Sequence, residues 1–154
     1  KEGAERIIAQ RGMSIVLDEG VVLTILFPDR NVSGLTTNDG SIVARLTYGL
    51  TSVMFTGDTT QKIEEYLVHL DGNYLDSDVL KVAHHGSKTS TSELFLAAVL
   101  PSVAVVSAGK DNRYGHPHAA VTGTLKSRSI PFLNTANDGT VIFVSDGRSV
   151  VRRD

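Results

Sequence analysis

The predicted elements of this chain begin as strands alone and then continue as strands that alternate with helices. Two apolar runs, at 14–17 and 21–27, flank the turn Asp18-Glu19-Gly20 and predict a β-hairpin. Further strands are predicted at 42–48, 52–55, 79–83, 103–107, 130–133 and 140–144, and helices at 61–69, 90–99 and 119–128. Since no repeat or linker separates these elements, they predict one α/β (α+β) domain over residues 1–154.

Three local signals place the ends of these elements more closely. The opening Lys1-Glu2-Gly3-Ala4-Glu5 is typical of a polar helix, which we expect to end near Gly12. The tetrapeptide Ser90-Thr91-Ser92-Glu93 has the form of a capping box and predicts the start of the second main helix. The tripeptide Asn137-Asp138-Gly139 predicts the turn of a hairpin that joins the last two strands.

The composition excludes several kinds of protein and of metal site. The 154 residues include 41% hydrophobic and 21% charged residues, which is ordinary for a globular domain. The formal net charge of −2 argues against a protein that binds nucleic acid over its whole surface, but it allows a local basic groove. Because the chain has no cysteine, any metal must be held by histidine, aspartate or glutamate. No run approaches the roughly 20 apolar residues that span a bilayer, and the absence of an initial methionine leads us to expect a piece of a longer polypeptide.

Three polar loops each follow an apolar strand, where sheet proteins gather ligands and catalytic groups. In the first loop, Asp58 suits cation binding, although this residue alone would favour the cap of the next helix. In the second, His84 and His85 are either a surface pair or, as we favour, one imidazole in a crevice and one beside it. The third loop carries His116 and His118, although loops as polar as this one are usually just solvated. Four of the five histidines lie in the second and third loops, and this clustering is the best local indication of a site.

Basic residues flank the same loops, at Lys81, Lys88, Lys110 and Arg113. Their position beside the histidines indicates an anionic substrate, although each of them alone would pass as an ordinary surface cation. The fifth histidine, His69, lies late in a predicted helix, and we expect it to interact only with the helix dipole.

Three segments together resemble a known family. They are Thr56-Gly57-Asp58, Leu80-Lys81-Val82-Ala83-His84-His85-Gly86-Ser87-Lys88 and Asn112-Arg113-Tyr114-Gly115-His116-Pro117-His118. In this order they are similar to the C-terminal metallo-β-lactamase-like domain of ComEC-type competence proteins, and the resemblance extends from about Asn38 to the end of the chain. It implies a four-layer αββα sandwich with a metal site along one edge.

The resemblance also implies roles for individual residues. Asp58 would bridge two divalent ions, zinc or manganese, and the 116–118 loop would add a ligand or a phosphate contact. The expected catalytic residues are His84, His85 and His116, the expected metal ligands are Asp58, His84, His85 and His118, and the expected substrate-binding residues are Lys88, Lys110, Asn112, Arg113 and Tyr114. Asp58 and the three catalytic histidines should converge within about 8 Å, the span of two ions about 3.5–4 Å apart with their ligand bonds.

One motif of the family is missing. The metallo-β-lactamase fold carries its main metal ligands in a His-x-His-x-Asp-His motif in its N-terminal half, and the chain does not contain this motif. His116-Pro117-His118 matches its first three positions, but Ala120 and Val121 stand where aspartate and histidine are required. We therefore expect a sandwich without its N-terminal part and at most half a metal site. We also expect an apolar sheet face that is bare or covered by a second copy of the chain.

The implied function is that of a metal-dependent hydrolase, in the first place a phosphodiesterase or nuclease that degrades DNA during competence-linked uptake. This stretch alone would be inactive. Two alternatives stay open: another hydrolase of the same fold, such as a lactonase or small phosphodiesterase, and a non-catalytic fragment that binds DNA or docks on a partner. The expected partners are single-stranded DNA and the remainder of a membrane-embedded polypeptide. The domain itself would be soluble and would lie on the extracytoplasmic face.

Overall fold

The computed structural model describes residue 3 and residues 6–153, and its main element is a seven-stranded sheet whose strands follow one another in chain order. The strands are β1 (Ser14–Asp18), β2 (Val21–Phe27), β3 (Val43–Tyr48), β4 (Thr51–Phe55), β5 (Val79–Lys81), β6 (Val103–Val106) and β7 (Phe132–Asn134). Neighbours are antiparallel from β1 to β4 and parallel from β4 to β7. The sheet thus contains the predicted change from hairpins to strand–helix units, and the α/β class is confirmed.

Helices connect the parallel strands and cover one face of the sheet. The connecting helices are α1 (Gln61–Asp71), α2 (Glu93–Val99) and α3 (Ala119–Ser127), and a 3-10 helix at Gly72–Leu75 follows α1. The single turn α4 (Thr135–Asp138) comes after β7, the last parallel strand. Met54, Leu80 and Ala104 stand at equivalent positions of β4, β5 and β6. All three are buried in one core with Leu67 of α1 and Phe95 of α2, so these helices pack on that face. None of the helices in the described residues is long and apolar enough to cross a membrane.

The start of α2 differs from the capping-box prediction. The N-cap is Ser92, whose hydroxyl accepts a hydrogen bond from the Phe95 amide at 3.2 Å. The Ser90 hydroxyl instead donates to backbone carbonyls of the preceding loop at 2.9 Å. Glu64 in α1, which is distant along the chain, determines which serine becomes the cap. One of its carboxylate oxygens accepts a hydrogen bond from the Thr91 amide and the other accepts one from the Ser92 amide, both at 2.7 Å. The predicted cap at Ser90 was therefore wrong by two residues.

The closing hairpin lies further along the chain than predicted. Residues Thr135–Asp138 form α4, because the Asn134 side chain accepts from the Ala136 amide and the Asp138 carboxylate accepts from the Asn134 amide. The hairpin is made by β8 (Ile142–Ser145) and β9 (Val150–Arg153), which form a separate two-stranded sheet. Its turn is closed by the Asp146 carboxylate, which accepts from the backbone amides of Arg148 and Ser149 at 2.8 Å.

The polar helix predicted before Gly12 is not observed where the structure describes the chain. Residues 1, 2, 4 and 5 lie outside the described residues, and residues 6–12 contain no helix. The amides of Arg11 and Gly12 donate to the carbonyls of Pro28 and Ile25 at 2.7 and 2.9 Å. These bonds attach the segment to the end of β2, and they leave its amides unavailable for a helix.

The face of the sheet opposite the helices is apolar and partly bare. Phe55, which is 40% exposed, lies between two shallow cavities on this face, of about 350 and 310 Å³. The β8–β9 hairpin lies beside it, held by a 2.7 Å hydrogen bond between the hydroxyls of Thr51 and Ser145 and by another from the Leu50 amide to the Gly147 carbonyl. The structure thus has the exposed apolar sheet face that the sequence predicted.

Candidate active site

The topology of the sheet brings the three predicted loops to one edge. Phe55, Lys81 and Val105 are level with one another in the parallel strands β4, β5 and β6. Because parallel strands present their carboxyl ends at the same edge, the loops that follow these strands emerge side by side. This edge therefore carries Asp58, the His84–His85 pair and the 109–118 loop.

Asp58 and His85 form a carboxylate–imidazole pair in the candidate site. The Asp58 carboxylate, with 42% of its side chain exposed, lies 3.6 Å from Nε2 of His85. Nδ1 of His85 lies 2.6 Å from the Ser107 carbonyl oxygen, an arrangement in which Nδ1–H donates and Nε2 faces the carboxylate. Asp58 does not cap α1, since the N-cap position is Thr60 and no side chain makes a cap hydrogen bond there. The alternative that Asp58 is only a helix cap is therefore wrong.

The two histidines diverge because the backbone turns through a left-handed conformation. His84, His85 and Gly86 have φ values of 48°, 55° and 82°. Each non-glycine residue in this region costs about 1–2 kcal/mol, a strain that is concentrated at functional sites. As a result the His85 ring faces Asp58, whereas the His84 ring lies 5.8 Å from that of His116, centroid to centroid.

The 109–118 loop is organised by Asn112 and fastened to the histidine turn. The Asn112 amide donates to the carbonyls of Gly109 and His116 at 2.9 and 2.6 Å and accepts from the His116 amide at 2.9 Å. Its hydrogen-bonding groups are thus used inside the loop, whereas the sequence predicted a substrate contact. The His118 amide donates to the Gly86 carbonyl at 2.8 Å, which joins the two loops.

The remaining predicted residues differ in how close they come to this centre. The His118 ring caps α3, with Nδ1 accepting from the Ala120 amide at 3.4 Å, and its role as a metal ligand stays a prediction. Arg113 donates to the Tyr114 hydroxyl at 2.6 Å, and the Tyr114 ring stacks on that of His116. Lys88 and Lys110 are exposed and make no hydrogen bond or ion pair with the described residues.

Burial and neighbouring charges shift the pKa values of two basic groups at this edge. Burial lowers the pKa of His116 below its ordinary value, and the imidazoles of His84, His85 and His118 act in the same direction, opposed by Asp58. Burial also lowers the pKa of Lys81, and the carboxylate of Asp58 opposes this shift. The Lys81 ammonium lies 3.5 Å from the Gly57 carbonyl oxygen, so this cation lies at the same sheet edge as Asp58.

The sequence did not indicate the polar segment that precedes β3. The Asn38 amide nitrogen lies 3.5 Å from both ring nitrogens of His84, and the Ser41 hydroxyl accepts from the Asp58 amide at 3.2 Å. The Thr60 hydroxyl donates to Asp39 at 2.5 Å. The signal that could have found this segment is topological. Because β3 runs antiparallel to β4, its beginning lies at the edge where β4 ends.

The donors at this edge fit a metal ion only in part. A separation of 3.6 Å allows Asp58 and His85 Nε2 to bind one ion, because zinc bonds to nitrogen and oxygen are about 2.0–2.2 Å long. Within residue 3 and residues 6–153, however, no three histidine, aspartate or glutamate side chains are placed to hold an ion. The described residues therefore do not form a complete metal centre.

The chain is similar in sequence to several known proteins. A profile of the Metallo-beta-lactamase superfamily matches residues 8–110. ComE operon protein 3 of Bacillus subtilis is 42% identical over 104 residues, which are 68% of this chain and 13% of that protein. Competence protein ComA of Neisseria gonorrhoeae is 38% identical over 142 residues, 92% of this chain and 20% of that protein. Recombination protein 2 of Haemophilus influenzae is 40% identical over 123 residues, 80% of this chain and 15% of that protein.

The chain thus spans between 13% and 20% of the length of these relatives. A crystal structure from Parabacteroides distasonis, of a protein provisionally described as a metal-dependent hydrolase, aligns with a TM-score of 0.50 and 15% identity. The alignment covers 82% of this chain and 56% of that one, and at this identity it supports the fold alone. The resemblance to ComEC-type competence proteins is confirmed, and the chain belongs to the metallo-β-lactamase superfamily.

Proposed function

We propose that this chain contributes to a metal-dependent phosphodiesterase that cleaves DNA during competence-linked uptake. The observation that carries the proposal is the 3.6 Å pair of Asp58 and His85 at the edge where three strand-end loops meet. In a metallo-β-lactamase fold, a carboxylate and an imidazole at that position suit a divalent cation. The names of two relatives, which refer to competence and to recombination, favour DNA over other substrates.

The residues of this chain divide into three proposed roles. Asp58 and His85 would supply part of the ligand set for zinc or manganese, and the remaining ligands of a two-ion centre would come from outside these 154 residues. His84 and His116, whose rings lie 5.8 Å apart, would position the substrate or carry a proton. Lys88, Lys110 and Arg113 are exposed and would attract the phosphate backbone.

The incomplete ligand set favours a second proposal, that this stretch alone does not catalyse. A catalytic zinc ion requires about three protein ligands, and the described residues do not gather three. Taken by itself, the 154-residue chain would then bind DNA or dock on the rest of its polypeptide. The bare apolar face around Phe55 suits such docking, either on that remainder, which we propose to be membrane-embedded, or on a second copy.

Hydrolysis of an end-labelled single-stranded DNA with added Mn²⁺ or Zn²⁺ tests the proposal. We expect little or no cleavage by the 154 residues alone. A polypeptide in which they are preceded by a segment with the His-x-His-x-Asp-His motif should cleave the DNA only when metal is present. Asp58→Asn in the longer form should abolish cleavage, because the amide keeps the shape but loses the charge. Robust metal-dependent cleavage by the short chain, or full activity of the longer Asp58→Asn form, would contradict the proposal.

A further inference from the structure

We propose that the opening between the histidine turn and the 109–118 loop is a subsite for one unpaired nucleobase, with Tyr114 as its stacking surface. The inference rests on the proposed function and extends it, since it identifies which part of the nucleic acid the site holds beside the scissile phosphate. It predicts that the site accepts strands with accessible bases and that base identity matters little.

The position and lining of the opening suit a flat, largely apolar group. It has a volume of about 180 Å³ and is lined by His85, Ala108, Gly109, Asn112, Tyr114 and His116. Ala108 and Gly109 give it a floor almost without side chains, and no heavy atom lies within 4 Å of the place of a Gly109 Cβ. Because His85 belongs both to this opening and to the pair with Asp58, a base bound here would place its own phosphate near that pair.

Tyr114 is exposed without being loose. The residue is 64% exposed, yet its ring stacks on the His116 ring with centroids 5.7 Å apart and an angle of 24° between the planes. The second neighbour of the Tyr114 ring is the Arg113 guanidinium, which lies 4.8 Å from the ring centroid and donates a hydrogen bond to the Tyr114 hydroxyl at 2.6 Å. A large aromatic ring held by polar neighbours at the surface can stack on a ligand with little loss of side-chain entropy. Arg113 also places a positive charge beside the Tyr114 ring, where it would attract the phosphate backbone of a bound strand.

The residues that line the opening can stack on a base but offer few hydrogen bonds to the edges of a base. Asn112, the amide of the opening, already uses its donors and its acceptor on Gly109 and His116. Recognition by stacking tolerates any base, because every base presents a π-face. In a duplex each base is covered by its neighbours and paired, so a base would have to leave the helix to reach Tyr114. The subsite therefore favours single strands or frayed ends of any sequence.

Fluorescence anisotropy with labelled oligonucleotides tests the subsite directly on this chain. Three probes of equal length are compared in EDTA, so that no hydrolysis occurs: oligo(dT), a strand made wholly of abasic residues, and a blunt duplex. Tyr114→Leu removes the ring, and Tyr114→Phe keeps it. The matched control is Tyr74→Leu, because Tyr74 is also exposed, at 52%, and also has an arginine, Arg45, over its ring.

Tyr114→Leu should weaken binding of oligo(dT) by about 5- to 150-fold, the range for loss of one stacked base, and Tyr114→Phe should restore it. The same variant should leave binding of the abasic strand unchanged, and Tyr74→Leu should change neither. The inference is overturned if Tyr114→Leu binds oligo(dT) like the native chain or weakens both strands equally. It is also overturned if the native chain binds none of the probes. This experiment measures binding and not hydrolysis. If the expected binding pattern is observed but the longer form does not hydrolyse DNA, the proposed reaction is overturned and the base subsite is not.

Discussion

Pro117 occupies the space beside Gly86 so closely that a Cβ on Gly86 would lie 2.7 Å from the Cβ of Pro117. Gly86 also has a φ of 82°, which side chains rarely adopt. The contact lies between the two loops that carry four of the five histidines, and the hydrogen bond from the His118 amide to the Gly86 carbonyl reinforces it. The distance between the His84–His85 pair and His116 thus depends on the absence of a side chain at position 86.

Gly86→Ala should force these two loops apart. We expect a loss of about 2–4 kcal/mol in the free energy of unfolding, from overpacking against Pro117 together with the left-handed backbone. Urea unfolding measures the loss. Gly123→Ala is the matched control, because Gly123 lies inside α3 with no heavy atom within 4 Å of the place that an alanine Cβ would take, so alanine should stabilise the chain by about 0.5–1 kcal/mol. Equal stability of the native and Gly86→Ala chains would show that the loops are not in contact.

Glu64 gives the chain a predicted dependence of stability on pH. Burial raises the pKa of Glu64 from 4.5 to about 7, and it outweighs the two hydrogen bonds from the amides of Thr91 and Ser92, which act in the opposite direction. The folded chain therefore binds this proton more tightly than the unfolded chain. The contribution to stability is largest below pH 4.5 and is lost as the pH rises through 7, by at most about 1.4 kcal/mol per pH unit.

Urea unfolding of the native chain and of Glu64→Gln between pH 5 and 8 isolates this contribution. The stability of the native chain relative to the variant should fall as the pH rises, because the two chains differ only at residue 64. A chain with Glu65→Gln, a change at the next, exposed position of α1, keeps Glu64 and should therefore still lose stability relative to Glu64→Gln as the pH rises. A relative stability that rises with pH would mean that the two amide hydrogen bonds outweigh burial.

The bare sheet face predicts self-association of the 154-residue chain. Phe55 contributes to both cavities on this face, so Phe55→Ser should weaken association by removing its largest shared apolar surface. Sedimentation velocity over a range of concentrations measures this. Leu50→Ser is the control, since Leu50 is 83% exposed in the turn between β3 and β4 and lines neither cavity. A native chain that stays monomeric at all concentrations would contradict the prediction.

The sequence was sufficient to predict the edge where the candidate site lies. Apolar runs before Asp58, His84 and the 109–118 loop predicted strands, and parallel strands necessarily present their following loops together. Local patterns could not predict Asn38 or Ser41, which reach His84 and Asp58 across 46 and 17 residues of chain. Such contacts depend on strand order, and a single sequence does not state strand order.

The two mistaken element ends have different origins. Ser90 and Ser92 are equally good caps by type, and the Glu64 carboxylate selects Ser92 from 28 residues away. Around Asn137-Asp138-Gly139 the turn signal was real, but side-chain bonds between Asn134 and its neighbours made it the end of a helical turn. A tertiary hydrogen bond thus decided the first case, and local side-chain hydrogen bonds decided the second.

Titration calorimetry with Mn²⁺ tests most directly whether Asp58 and His85 form part of a cation site. The native chain should bind the ion weakly, because the described residues supply fewer than three ligands. Asp58→Asn should reduce the affinity at least about tenfold, since it removes the carboxylate charge that faces His85. Asp111→Asn removes the same charge from an exposed position of the neighbouring loop and should leave the affinity unchanged. Equal Mn²⁺ affinity in the native and Asp58→Asn chains, or an equal loss in Asp111→Asn, would contradict the account.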